Sequence, residues 1–284
     1  MCNLFRSDPK SGHSVVHVRS AALCQKATSA IFKRGCCPAR SGRPSETWSG
    51  RDANYRCSIV RIDDLTFSKD GAKLFRAAVA PDQLDLVQAA LSHLPQDQAG
   101  VRLRGVNGLA PFLTSQGHIG RCAASVLGPN CLPVRAILFD KTPETNWSLA
   151  WHQDRTIAVK ERVAADGFGP WSTKSGMPHV EPPFDLLAGM VTLRLHIDAV
   201  PATNAPLLIA PGSHKLGRIA ERDIDDVVRR CGRVACLAEA GDIWLYVTPI
   251  LHASEAAVGP LHRRVLQVDF AVGELPGNLQ WLGL

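Results

Sequence analysis

Hydrophobic and polar positions divide the chain into a helical part followed by a strand-rich part. In the helical part, Leu84, Val87 and Leu91 recur at helical spacing behind Pro81, a residue that suits the first position of a helix. A second helix is predicted over residues 114–127, where apolar residues again recur at helical intervals and a Gly-Pro pair follows. The pattern therefore predicts two helices ahead of the strands.

Beyond Pro133 the apolar residues form short or alternating runs separated by turn residues, which is typical of β-strands. The runs are Val134–Phe139, Met190–Ile197, Pro206–Ala210, Ile243–Val247 and Val265–Val272. The intervals between them are too irregular for βαβ units. We therefore predict a mainly β domain with flanking helices, whose strands close as a sandwich or barrel around a site.

Residues 160–184 differ from their neighbours, because glycine and proline recur there around two aromatic residues, Phe168 and Trp171. Long loops that carry aromatic residues often serve as lids. Phe168 and Trp171 then either contact a substrate or form a small hydrophobic plug under the loop. The pattern predicts a long loop and leaves both roles open.

Charge separates residues 1–60 from the rest of the chain. They hold ten Lys/Arg against three Asp/Glu, whereas residues 61–284 hold 22 against 23. The first segment also lacks amphipathic periodicity. We interpret it as a disordered basic tail, either a transit-like segment or an extension from an upstream start codon, and residues 61–284 as the functional domain.

Composition also narrows the partners. The near-neutral charge of residues 61–284 argues against nucleic acid. No run of about 18 apolar residues occurs, so we expect no membrane span. The chain has nine cysteines, an odd number, and their spacing matches neither a zinc finger nor the disulfide framework of a secreted protein. We expect free thiols in a cytoplasmic protein, unless the basic tail directs it to an organelle, and a small molecule as its partner.

Three residues are candidate metal ligands. His152 and Asp154 are two positions apart, so both point to the same side of a strand. His252 follows the apolar run Ile243–Val247. Two neutral imidazoles and one carboxylate on one face form the ligand set that non-haem Fe(II) prefers, with three coordination positions left open. Each motif alone is weak evidence for a metal site, because a His-x-Asp match often arises by chance and a single buried histidine is more often structural.

Arg263 and Arg264 open the last apolar run. Successive residues of a strand face opposite sides, so only one of these side chains points inward. An inward guanidinium is costly unless it meets an anion, and its planar fork suits a carboxylate. The alternative is a pair of solvated arginines at the start of a strand, and the pattern does not decide between the two.

In combination, these residues resemble the phytanoyl-CoA dioxygenase family of Fe(II)/2-oxoglutarate oxygenases. The motifs occur in the order Trp151-His152-Gln153-Asp154, Ala210-Pro211-Gly212-Ser213-His214-Lys215, Gly241-Asp242, and His252-Ala253-Ser254 followed by Arg263. The resemblance covers roughly residues 62–284 and implies a double-stranded β-helix, a jelly roll related to the cupins. The sequence departs from the family pattern at Asn204-Ala205-Pro206, because family members commonly have glycine after this asparagine.

The resemblance implies a role for each motif residue. His152, Asp154 and His252 would bind Fe(II), while Arg263 and Ser254 would hold the distal carboxylate of the co-substrate 2-oxoglutarate. With O2 as second co-substrate, the enzyme would hydroxylate an unactivated C–H bond of a small molecule, or oxidise it in a related way, and release succinate and CO2. The carboxylate of Asp154 favours hydroxylation, because related halogenases have a small residue in its place.

Other residues are weaker candidates for the same site. Lys141 would hydrogen-bond 2-oxoglutarate or be a solvated lysine at a strand end. Thr192, Arg194 and His196 alternate along one predicted strand and share one face. If that face is the inner one, Thr192 would contact 2-oxoglutarate and the other two would line the substrate pocket; if it is the outer one, all three are polar surface.

Two other functions remain open. A cupin-like metalloenzyme would use the same ligands with another metal and would need neither Arg263 nor 2-oxoglutarate. A non-catalytic jelly-roll binding protein would keep the site as a relic, although packing alone requires none of these residues. The near-neutral charge also predicts no basic patch for the phosphates of CoA, so the family name does not identify the substrate.

Overall fold

The computed structural model describes residues 62–95, 98–257 and 262–284. The predicted tail, residues 1–60, lies outside these ranges, so its boundary stays a prediction. Within the described ranges, no helix is long and apolar enough to cross a membrane. The four cysteines of this part are free thiols, as predicted.

The helices are short and the strands dominate. The α-helices are α1 (Phe67–Asp70), α2 (Pro81–Leu91), α3 (Ala110–Leu113), α4 (Gly120–Leu127), α5 (Phe184–Ala188) and α6 (Ile224–Cys231), with 3-10 turns at Ile62–Asp64, Asn107–Leu109, Ser213–Leu216 and Glu221–Asp223. The strands are β1 (Ala72–Phe75), β2 (Gly100–Leu103), β3 (Cys131–Lys141), β4 (Leu149–His152), β5 (Ile157–Ala158), β6 (Trp171–Lys174), β7 (Met177–Val180), β8 (Val191–His196), β9 (Leu207–Ile209), β10 (Val234–Cys236), β11 (Ile243–Val247), β12 (His252–Ser254) and β13 (Arg263–Val272).

Two antiparallel sheets form the body of the domain. The major sheet has the strand order β1-β11-β8-β13-β3-β2, the minor sheet the order β10-β9-β12-β4, and a small third sheet the order β5-β7-β6. Trp244 and Tyr246 of β11 pack with Leu207 and Ile209 of β9, so the major and minor sheets share a core. This is the predicted mainly β, jelly-roll architecture with flanking helices.

The alternation of side chains along β8 decides which face of the major sheet is polar. Leu193 and Leu195 pack with Leu84 and Val87 of α2, on the side covered by helices. Arg194 faces the opposite way, into a cavity that the two candidate histidine ligands also line. Thr192, Arg194 and His196 therefore lie on the inner face of the barrel, which was one of the two possibilities the sequence left open.

The first predicted helix is confirmed, and the second begins later than predicted. α2 starts at Pro81 and buries the three predicted residues. The predicted start of the second helix at Thr114 is wrong, since α4 begins only at Gly120. Added Cβ atoms at Gly117 and Gly120 would collide with backbone carbonyl oxygens of the preceding turn, so the chain folds back on itself there in a way that only glycine permits.

Residues 160–184 are not a single long loop, because they contain the hairpin of β6 and β7. Its turn is Ser175-Gly176, where φ is +50° and +75°. Two consecutive residues with positive φ form the tight turn that matches the twist of paired strands, and glycine suits the second position. The hairpin brings Lys174, the last residue of β6, to the cavity.

Candidate active site

The three candidate ligands meet at one side of the cavity. His152 ends β4 and His252 begins β12, and the two residues are direct partners in the antiparallel ladder. Asp154 follows His152 by two positions. One ligand atom from each residue lies within 4.8 Å of the other two. Strand pairing in the minor sheet thus brings His252 to a pair of residues that lies about a hundred positions earlier in the chain.

Backbone carbonyl groups orient both imidazoles. Nδ1 of His152 lies 2.8 Å from the carbonyl oxygen of Ala150, and Nδ1 of His252 lies 2.9 Å from that of Ile250. A carbonyl oxygen only accepts, so each Nδ1 carries the hydrogen and each Nε2 keeps its lone pair for a metal. Burial, followed by the nearby His152, lowers the pKa of His252 to about 4, which keeps this imidazole neutral at pH 7.

A buried ion pair supports the third ligand. Arg135 donates to a carboxylate oxygen of Asp269 at 2.6 Å and lies 3.5 Å from Oδ2 of Asp154. Thr192 donates to the other oxygen of Asp269 at 3.0 Å. Burial alone would raise the pKa of Asp154, but the positive charge of Arg135, with a smaller contribution from Lys174, outweighs it, so the pKa lies below its ordinary value. Asp154 is therefore an ionised carboxylate.

This donor set fits a divalent transition metal of the iron type. It offers two imidazole nitrogens with free lone pairs and one carboxylate, all on one side of the position that they enclose. That combination suits non-haem Fe(II), whose remaining positions would then face the cavity.

The inner face of the major sheet carries its polar residues in rows that run across neighbouring strands. The rows are Arg263 with Lys141; His196, Val265, Phe139 and Gly100; Arg194, Gln267, Ile137 and Arg102; and Thr192, Asp269 and Arg135. Successive rows are two residues apart along each strand, which is about 6.6 Å. The row of Arg263 and Lys141 therefore lies farthest from Asp154, because Asp154 contacts Arg135, which belongs to the last row.

Arg263 points inward and Arg264 outward, which settles the choice that the sequence left open. Arg264 forms a two-pronged ion pair with Asp198, at 2.9 and 2.7 Å. Arg263 is 3% exposed and donates through Nη1 to the carbonyl oxygen of Ala205. Its Nε has no hydrogen-bond partner among the described residues. Burial, then the nearby Arg194, lowers the pKa of Arg263 to about 9.

Lys141 is buried beside Arg263. It is 1% exposed, so it is not the solvated lysine that the sequence also allowed. Its Nζ donates to Oγ of Ser254 at 2.8 Å and to the carbonyl oxygens of Trp147 and Glu255 at 2.6 and 2.7 Å. Burial, then the charge of Arg263, lowers the pKa of Lys141 to about 7. Lys141 and Arg263 are thus two positive charges held close together away from water, and a bound anion would compensate for both their repulsion and their loss of hydration.

The weaker candidates divide between the cavity and the core. Arg194 lines the cavity, donates to Gln267 at 2.8 Å and stacks over the ring of Phe139 at 5.3 Å. Thr192 and His196 are buried on the same face but lie outside the cavity lining. Thr192 instead donates to Asp269, which pairs with Arg135, and Arg135 in turn contacts Asp154.

The two aromatic residues of segment 160–184 also lie outside the cavity lining. Phe168 and Trp171 pack around Val180 and Leu187 in a separate hydrophobic cluster. This placement corresponds to the hydrophobic plug rather than to the substrate contact that the sequence left as its alternative.

The cavity itself is basic, which the near-neutral charge of residues 61–284 did not predict. It encloses about 440 Å³. Six cationic side chains line it: Arg102, Arg135, Arg155, Lys174, Arg194 and Arg263. Among the described lining residues, Asp154 is the one carboxylate. Folding brings these cations together from five strands and a loop, so the net charge of the chain conceals them.

Comparisons with known proteins agree with this geometry. Residues 67–265 match the model of the phytanoyl-CoA dioxygenase family. The apoform of EctD from S. alaskensis is 16% identical, with 82% of this chain and 84% of that chain covered and a TM-score of 0.56. HygX from Streptomyces hygroscopicus, solved with nickel and 2-oxoglutarate bound, is 12% identical, with 74% and 89% covered and a TM-score of 0.51. No curated protein sequence matches the chain.

A third solved structure is SnoK, a non-haem alpha ketoglutarate dependent carbocyclase from nogalamycin biosynthesis. It is 15% identical, with 79% of this chain and 90% of that chain covered and a TM-score of 0.52. At these identities the solved structures establish the jelly-roll fold, and the family model establishes the family. That model spans the three candidate ligands as well as Arg263. The chain belongs to the phytanoyl-CoA dioxygenase family.

Proposed function

We propose that the protein is a non-haem Fe(II)/2-oxoglutarate-dependent oxygenase that hydroxylates an unactivated C–H bond of a small molecule. One observation carries the proposal: His152, Asp154 and His252 converge on one side of a cavity that Arg263 also lines. A metal site alone would need no buried arginine, and an anion site alone would need no such ligand set. Family membership and the solved structures support the same class of enzyme.

His152 and His252 would hold the iron through Nε2, and Asp154 through a carboxylate oxygen. When bound, Fe(II) supplies the activation of O2, coupled to the oxidative decarboxylation of 2-oxoglutarate to succinate and CO2. The chain's own part is to fix the ligands. Ala150 and Ile250 hold the imidazole rings through their carbonyl oxygens, and Arg135 keeps Asp154 ionised.

Arg263 and Ser254 would bind the distal carboxylate of 2-oxoglutarate, with Lys141 behind them. The unpartnered Nε of Arg263 is a donor that a carboxylate can satisfy. Protonated Lys141 would also favour anion binding, and a negative charge nearby would in turn raise the lowered pKa of this amine. Thr192 would act differently from its predicted role, since it positions Asp269 rather than contacting the co-substrate.

The size of the cavity supports oxidation of a small molecule. A volume of about 440 Å³ lies in the range of pockets that enclose metabolite-sized ligands. Placing a C–H bond there would keep bulk water away from the reacting groups. The carboxylate at position 154 supports hydroxylation rather than halogenation.

The test follows both oxygen atoms of O2. Full-length protein is loaded with Fe(II) and 2-oxoglutarate without oxygen, mixed with a panel of small molecules, and exposed to ¹⁸O2. We expect one ¹⁸O atom in succinate and one in a hydroxylated product, and no turnover in His152→Ala. Metal-dependent turnover without 2-oxoglutarate would instead favour the cupin-like metalloenzyme, and ligand binding without any turnover would favour the binding protein.

A further inference from the structure

The cavity holds more positive charge than the proposed co-substrate requires. Of its six cations, Arg135 is neutralised by Asp269 and Asp154, and Arg263 is assigned to 2-oxoglutarate. Arg194 has Gln267 and the ring of Phe139 as partners, and Arg155 donates to the carbonyl oxygen of Ile219 at 2.9 Å. Two further cations, Arg102 and Lys174, have no such explanation.

Arg102 and Lys174 reach the cavity from different elements. Arg102 lies on the edge strand β2 and Lys174 at the end of β6, and Nη1 of Arg102 is 3.4 Å from Oγ of Ser175 in the hairpin turn. Nζ of Lys174 donates to the hydroxyl of Thr156 at 3.0 Å. Two separate elements therefore present their positive groups to one space.

Neither cation has a charged partner. In the described part of the chain, no carboxylate forms an ion pair with Arg102 or Lys174. Nε of Arg102 is buried and has no hydrogen-bond partner among the described residues. Burial, then repulsion by Arg135, lowers the pKa of both side chains. Keeping two unpaired cations here costs free energy, and a bound anion would recover it.

Their position separates them from the proposed 2-oxoglutarate site. Arg102 pairs with Ile137, four residues along β3 from Lys141, which is about 13 Å of strand. Arg102 instead lies within electrostatic reach of Asp154, whose charge acts on Arg102 and on Lys174 alike. A ligand held between them would lie beside the metal ligands, where a substrate belongs.

We infer that Arg102 and Lys174 form the recognition site for an acidic group of the substrate, so that the enzyme oxidises a small organic anion. The inference rests on the proposed function. The shared chemistry is an anionic oxygen group, which a carboxylate or a phosphate ester can supply. Arg102 would bind it through Nε and the guanidinium edge, and Lys174 as a point charge.

The test measures anion binding and co-substrate binding separately. Full-length protein receives Fe(II) and 2-oxoglutarate without oxygen, and the visible charge-transfer band confirms that both are bound. Isothermal titration calorimetry then measures binding of inorganic phosphate and, separately, of acetate at constant ionic strength. The variants are Arg102→Gln and Lys174→Gln, with Arg104→Gln as control, because Arg104 is exposed and lies just beyond the end of β2.

We expect at least one anion to bind the wild type, and each of the two variants to raise its Kd at least tenfold while Arg104→Gln leaves it within twofold. Preference for phosphate or for acetate identifies the acidic group. The inference is overturned if neither anion binds, if Arg102→Gln and Lys174→Gln bind like the control, or if they weaken the charge-transfer band instead. Failure of the band in the wild type would refute the proposed function itself, so the two failures are distinguishable.

Discussion

The two facing sheets contribute different chemistry to the site. The minor sheet supplies neutral nitrogen ligands, His152 and His252, which backbone carbonyl groups orient. The major sheet supplies charge, in rows that cross its strands and include Arg194 and Arg263. The two sheets meet at Asp154, which follows β4 of the minor sheet by two residues and contacts Arg135 of β3 in the major sheet. Metal binding and anion binding should therefore respond to different substitutions.

The largest effect is expected where the two sheets meet. Asp269→Asn would leave Arg135 buried without its closest counter-charge, and loss of one partner of a buried ion pair costs about 3–5 kcal/mol. Urea unfolding of the metal-free protein measures this. The control is Asp226→Asn, whose carboxylate pairs with exposed arginines of α6 and should change the free energy of unfolding by less than about 1 kcal/mol. Equal losses would contradict the role given to the buried pair.

The next effect isolates the minor sheet. His252→Ala removes one of three candidate ligands, and metal-binding free energies of this type amount to a few kcal/mol per ligand. We expect Co(II) affinity to fall at least about a hundredfold, measured by titration of the Co(II) absorption bands. His93→Ala removes an exposed histidine and should leave the affinity unchanged. Unaltered Co(II) binding by His252→Ala would place the metal elsewhere.

The major sheet is tested by two neighbouring arginines. Arg263→Gln removes a charged donor that we assign to 2-oxoglutarate, and such hydrogen bonds contribute about 1.5–3 kcal/mol. The 2-oxoglutarate concentration for half-maximal succinate formation should rise about tenfold to a hundredfold, with Co(II) affinity unchanged. Arg264→Gln carries the same charge change on the outer face and should leave both values within twofold. Equal effects of the two variants would refute the inward assignment.

The smallest effect concerns pH. The pKa of Lys141 is about 7 in the free protein, so the amine loses its charge as the pH rises from 6 to 8. Arg263 beside it has a pKa of about 9 and therefore stays mostly protonated over this range. We expect the Kd of 2-oxoglutarate at saturating Fe(II) to increase a few-fold from pH 6 to pH 8, because the anion loses one nearby cation. Lys141→Met should flatten this dependence, and a slope that survives in the variant would assign it to another group.

Much of the minor-sheet chemistry could be predicted from the sequence, because its signals are local. His152 and Asp154 are two residues apart, and His252 directly follows a strongly apolar run. The first helix was equally visible, since Pro81 and the spacing of its apolar residues mark it. These patterns depend on a few neighbouring residues and survive without any knowledge of the tertiary structure.

The basic cavity could not be predicted, because it depends on pairing between distant strands. Arg135 meets Asp269 only through the register of β3 with β13, and each residue alone looks like an ordinary charged position in an alternating strand. Lys174 reaches the cavity because Ser175-Gly176 turns the hairpin. A signal was present in that pair, since a small polar residue followed by glycine between short alternating runs is typical of a tight hairpin turn.

The most direct test of the account uses the anaerobic charge-transfer band of Fe(II) and 2-oxoglutarate, which requires both to bind at one centre. The full-length wild type should show the band, His152→Ala should lack it at any 2-oxoglutarate concentration, and Arg263→Gln should recover it only at about tenfold or more co-substrate. A well-folded, metal-loaded wild type without the band, or a band that persists in His152→Ala, would contradict the central claim that these sheets build one iron and 2-oxoglutarate site.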